Sequence, residues 1–95
     1  MLEAMACGVP TIAANSSCLP EISGNLLRYF DPLSSEEMAQ TMEAVLSNGE
    51  LAQALIQNGL MRARVFSWEK CARETLEVLL QAAKYPRRQL AGAAL

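Results

Sequence analysis

Three parts of this sequence carry side chains suited to chemistry: the carboxylates Glu3 and Glu21, the polar run Asn15-Ser16-Ser17, and the cysteines Cys7, Cys18 and Cys71. Glu3 falls in the first turn of an expected helix, LEAMAC. A carboxylate there stabilises a helix by ~0.3–1 kcal/mol with no ligand involved. Glu21 follows Pro20 and reads the same way, as a first-turn residue of a short helix. A single carboxylate without a positioned partner is not an acid–base pair. Asn15, Ser16 and Ser17 come directly after an apolar run. Such residues dominate ordinary turns, yet in open α/β sheets ligands collect beyond the carboxyl ends of the strands. Asn15 and Ser16 are therefore candidates for ligand contact. The cysteines are odd in number, far apart and set among small or apolar residues, with no CxxC pattern. They read as reduced, partly buried thiols.

Histidine is absent, which removes the commonest general base and the commonest metal ligand together. No catalytic residue, metal site or cofactor is assigned. Apolar residues make up 52% of the chain, charged residues 19%, and the net charge is −2. That is the balance of a globular piece, not of a disordered tail. A nucleic-acid partner is not expected, since there is neither a basic stripe nor a supply of aromatic residues for stacking. No apolar run approaches the ~20 residues that span a bilayer, and no basic stretch precedes an apolar one as in a signal peptide. A cytoplasmic protein is expected. Lys84, Arg87 and Arg88 offer peripheral contact with anionic lipid, although stable electrostatic attachment takes about 4–8 basic residues.

The elements that must position these residues follow from periodicity and punctuation. Leu2 to Cys7 are good helix formers, with Gly8 where a left-handed helix end belongs. Val9 to Ala14 is a short apolar stretch without alternation, as in a strand buried on both faces. Pro20 opens a helical turn through Ile22, closed by Gly24, and LLRYF (26–30) reads as a second strand. Ser34 and Glu37 are spaced as a capping box for a helix with Met38, Met42, Val45 and Leu46 on one face. Glu50 to about Arg64 forms the next helix, with Leu51, Leu55 and Ile56 inward. Ser67 caps a last one, striped by Trp68, Cys71, Thr75, Leu76 and Leu79, with Trp68 read as core. Two parallel strands make no self-sufficient sheet. The expectation is an α/β fragment: two short parallel strands plus three C-terminal helices.

Taken in order, MLEAMACGVPTIAANSSCLPEISG, YFDP, the helix opened by SSEEM and FSWEKCARETLEVL resemble the last part of the nucleotide-sugar-binding domain of retaining GT-B glycosyltransferases, the group 1 or family 4 enzymes. The resemblance runs from Leu2 to about Leu80. It implies a partial Rossmann-like fold, with residues 1–83 the C-terminal portion of a donor-binding domain and 84–95 a flexible tail. It implies a nucleotide-sugar donor as partner, and transfer of the sugar to an acceptor with retention and no required metal. In the family's motif of two glutamates separated by seven residues, the second matches Glu3. That implies a hydrogen bond from Glu3 to the ribose of the donor, a carboxylate being able to accept from both hydroxyls. Many relatives carry Gly-Gly where this chain has Ser17-Cys18. The first glutamate would precede Met1, so Met1 is expected to be internal to a longer frame and the chain to be inactive alone. The family's last helix packs toward another domain, so self-association through exposed apolar faces is expected. The alternative is a non-enzymatic remnant or a partner-dependent interaction subunit.

Overall fold

The computed structural model describes residues 1–85. Met1–Val65 form one compact unit and Phe66 onward a second. The first holds α1 (Leu2–Ala6), β1 (Ile12–Ala14), α2 (Leu19–Ser23), β2 (Arg28–Phe30), α3 (Ser35–Ser47) and α4 (Gly49–Ala63); the second holds α5 (Trp68–Ala82). The strands pair in parallel, with Ile12 opposite Arg28, Ala13 opposite Tyr29 and Ala14 opposite Phe30. The α/β class, the parallel pair and the three helices after it are as expected.

Both strands are shorter than their apolar runs. Pro10 has no N–H to give to a ladder, and the Thr11 hydroxyl donates to the Val9 carbonyl at 2.9 Å. On the other side, Leu26 and Leu27 have their backbone groups engaged elsewhere. Leu26 N donates to Ser23 O, and Leu26 O accepts from the Asn58 side chain. Leu27 N donates to the Tyr29 hydroxyl at 3.4 Å. Only three residues per strand remain for pairing.

Helix ends follow the sequence closely. Gly8, at φ +71°, terminates α1, with Val9 N donating to Ala4 O and Gly8 N to Met5 O. Gly24, at φ +64°, terminates α2 in the same way, through Asn25 N to Pro20 O and Gly24 N to Glu21 O. In each case a left-handed glycine lets the chain turn back onto the last free carbonyls. Ser34, Asn48 and Ser67 cap α3, α4 and α5 by accepting from Glu37 N, Leu51 N and Lys70 N. The capping box at Ser34 is half made, because Ser34 N donates to Asp31 O.

The core is organised by α4, which packs against α1, α2 and α3. Met5 is fully buried, and Ala13, Leu27 and Leu55 are nearly so. Gly59 is buried against Met5: a Cβ at position 59 would lie 3.4 Å from Met5 Cβ and Cγ, so the missing side chain is what lets the two helices approach. Two expectations fail here. Of the α3 face, Met38, Met42 and Leu46 are exposed and Val45 is half-buried, whereas Thr41 is buried, because α3 turns its other side toward β2 and α4. The three thiols are free, but exposed rather than partly buried. Cys7 and Cys18 sit at helix caps, where side chains face outward.

Within the second unit, α5 stands as the one element among the described residues. None of its residues is buried, and Trp68 is 89% exposed, contrary to its reading as core. Among the described residues no second element of this unit covers it. Two exposed ion pairs, Lys70–Glu74 and Arg73–Glu69, run along the helix at i,i+4 spacing; such pairs add only ~0.3–0.5 kcal/mol each. Arg87, Arg88 and most of the expected tail lie outside the described residues.

Met5→Ala should destabilise the chain by about 2–5 kcal/mol, as expected for removing a fully buried side chain from a small core. Gly59→Leu should cost about 1–3 kcal/mol through overpacking against Met5. Urea unfolding followed by circular dichroism measures both.

Candidate functional site

The parallel register brings the residues after β1 and β2 side by side. Asn15 N donates to Phe30 O at 2.8 Å, continuing the ladder one step past Ala14. Beyond it lies a cavity of about 300 Å³ lined by Asn15, Tyr29, Phe30, Asp31, Pro32 and Glu37. This is the carboxyl end of the sheet, where ligands of open α/β folds gather. Asp31 is partly committed to structure, since its Oδ1 accepts from Leu33 N at 2.9 Å. The side chains of Asn15, Asp31 and Glu37 are exposed and acceptor-rich, a set that suits hydroxyl and N–H groups of a ligand.

Asn15 is thus in the cavity wall, but the other expected site residues are not. Glu3 is exposed in the first turn of α1 and does not line the cavity. Its backbone carbonyl accepts from Cys7 N at 3.1 Å. Ser16 lies next to Asn15, with its N–H on Ala14 O and its carbonyl accepting from Leu19 N. Ser17 adopts φ +54°, a left-handed conformation unusual outside glycine. It stands where a glycine would take that angle without strain. Glu21 is exposed in the first turn of α2, and its backbone carbonyl accepts from Gly24 N and from Arg62 Nη2. Asp31 and Glu37 were missed by the sequence reading. The signal was available: pairing the two apolar runs in parallel sets the residues after them, Asn15 and Asp31, side by side.

Tyr29 ties the cavity to α2 through a directional chain of hydrogen bonds. The fully buried Ser23 hydroxyl donates to Leu19 O at 3.0 Å, with Pro20 O nearby at 3.2 Å. Having spent its only proton, Ser23 Oγ accepts from the Tyr29 hydroxyl, which in turn accepts from Leu27 N. Among the described residues no buried side-chain polar atom lacks a partner, and no cluster of three potential metal ligands occurs.

Comparison with known proteins decides the family. The model of the family described as "Glycosyl transferases group 1" matches residues 1–62. The chain belongs to the group 1 glycosyl transferases. The O-antigen chain mannosyltransferase B of Escherichia coli is 33% identical over 76 residues, covering 80% of this chain and 20% of that protein. The MMP alpha-(1->4)-mannosyltransferase of Mycolicibacterium hassiacum is 33% identical over 81 residues, 81% of this chain and 20% of its own length. A D-inositol 3-phosphate glycosyltransferase of Nocardioides sp. is 35% identical over 85 residues, 84% and 18% respectively. This group 1 chain therefore spans about a fifth of the length of these three relatives. No solved structure matches. Among the described residues no helix is long and apolar enough to cross a membrane.

Tyr29→Phe should destabilise the chain by about 1–3 kcal/mol, since it removes two hydrogen bonds and leaves the Leu27 N–H without this acceptor. The Ser23 hydroxyl keeps its carbonyl partners in that variant, so the loss should be confined to the α2–β2 connection. Thermal unfolding reads the first effect, and amide exchange at Leu27 the second.

Proposed function

We propose that this chain supplies part of the donor half of a sugar-transfer site, with Glu3 accepting hydrogen bonds from the ribose of a nucleotide-sugar and Asn15 and Ser16 flanking the ligand. The observation that carries the reading is the family match over residues 1–62, which includes all three positions. The exposed Glu3 carboxylate is free to meet a diol, and a carboxylate accepts from both of its hydroxyls. The transfer is of the retaining kind, to a saccharide, lipid or other acceptor; the resemblance of the sequence blocks supports this. In isolation the chain performs no turnover, a reading supported by its span of about a fifth of these relatives.

A second reading, a subunit that docks on a partner or on itself, is favoured by α5. Trp68 is 89% exposed, and Val78, Leu79 and Leu80 are each more than half exposed. Apolar surface gathered on one helix marks an interaction face more often than a solvent face.

Isotope-labelled chain titrated with GDP and with UDP should show amide shifts at Glu3, Asn15 and Ser16, saturating near ~1 mM, an affinity worth about 4 kcal/mol. Glu3→Gln should weaken binding about tenfold, as loss of a charge-assisted bond does. Absence of any shift, or shifts scattered away from these residues, would overturn the donor-site reading. Incubation with nucleotide-sugars should release no nucleoside diphosphate. Light scattering tests the second reading, and a monomer across the micromolar range would remove self-association.

A further inference from the structure

We infer that Arg62 is a positioning residue: its guanidinium clamps the C-terminal end of α2 to α4 and so fixes the Asn15–Cys18 loop relative to Glu3. The inference deepens the donor-site reading and rests on it for the ligand.

A five-residue helix is only about 7–8 Å long and does not hold together alone in water. The N-cap position of α2 is Cys18, which makes no side-chain capping bond. The opposite end is tied down instead. Arg62 Nε donates to Ile22 O at 2.8 Å and Nη2 donates to Glu21 O at 3.0 Å. Last-turn carbonyls have no intrahelical donor and carry the negative end of the helix dipole, so a cationic fork is suited to them. The fit is close: a Cβ at Gly24 would lie 3.0 Å from Arg62 Nε and 3.2 Å from its Cδ and Cζ. Gly24 is required for its φ of +64° and for the room it leaves the guanidinium.

The same stretch of α4 holds α1. Asn58 Nδ2 donates to Leu26 O at 3.0 Å, just past the end of α2. Gly59 is packed on Met5 of α1, two residues from Glu3. One helical turn of α4 therefore anchors both halves of the proposed donor contact. From α2 the constraint reaches the loop through the backbone. Ile22 N donates to Cys18 O at 2.9 Å, Leu19 N to Ser16 O at 3.2 Å, and Ser16 N to Ala14 O at 2.9 Å. Ser17, left-handed at φ +54°, lies between these bonds.

The test uses the labelled full chain as wild type, Arg62→Met and Arg62→Lys. Methionine keeps an unbranched apolar side chain without the donors, and lysine offers a point charge that cannot span both carbonyls. In Arg62→Met the Leu55 core signals should persist, while exchange of the Ser16, Leu19, Ile22, Gly24 and Asn25 amides rises about tenfold or more, as expected for a lost charge-assisted bond. Shifts induced by GDP or UDP should disappear at Asn15 and Ser16 and persist at Glu3. Arg62→Lys should fall between the two. A merely structural role would weaken all ligand shifts together with stability, and that result overturns the inference. Unchanged exchange across 16–25 overturns it too. If wild type shows no nucleotide shift, the donor-site reading fails by itself, and the exchange comparison still decides the clamp. Should Arg62→Met not fold, Arg62→Lys against wild type carries the same decision.

Discussion

The close approach of α4 to α1 is the contact on which the first unit rests. It depends on a position without a side chain, Gly59, lying against Met5, the one large side chain wholly buried among the described residues. A glycine inside a helix costs about 1 kcal/mol in propensity relative to alanine. Here that cost is offset by burial of Met5 and by the short distance it allows between helices. From this contact the same helix reaches α2 through Arg62 and the start of β2 through Asn58. With so few residues fully withdrawn from water, each of these long-range bonds carries a large share of the tertiary definition.

Backbone accounting explains why the sheet stays small. The residues just before each three-residue strand are engaged with the Thr11, Tyr29 and Asn58 side chains, so the ladder starts only at Ile12 and Arg28. The same accounting makes the α2–β2 connection rigid. A chain of hydrogen bonds from Leu27 N through Tyr29 and Ser23 to Leu19 O crosses from strand to helix with each proton assigned once. Beside that connection lies the cavity at the carboxyl end of the strands, where the ladder's last bond, Asn15 N to Phe30 O, fixes its floor.

Apolar surface is distributed unevenly. The outer face of α3 presents Met42 and Leu46 around a shallow cavity of about 420 Å³, and α5 presents its whole apolar stripe.

What the sequence determined by itself was local. Gly8 and Gly24 gave the helix ends and Ser34 and Ser67 two of the helix starts, because each depends on neighbours within about five residues; the two apolar runs gave the places of the strands. The ordered blocks from LEAMACG to FSWEK carried the family, and with it the interest in Glu3. Tertiary structure decided the rest. Which face of α3 turns inward was set by β2 and α4, so Thr41 is buried and Met38 is not. The exposure of Trp68 and of the thiols was illegible too, since burial depends on what packs opposite. Arg62 and Asn58 had no role assigned from the sequence; their partners lie 40 and 32 residues away in the chain. Periodicity assigns a residue to a face of its own helix, but only the packed fold brings a distant helix end within 3 Å of it.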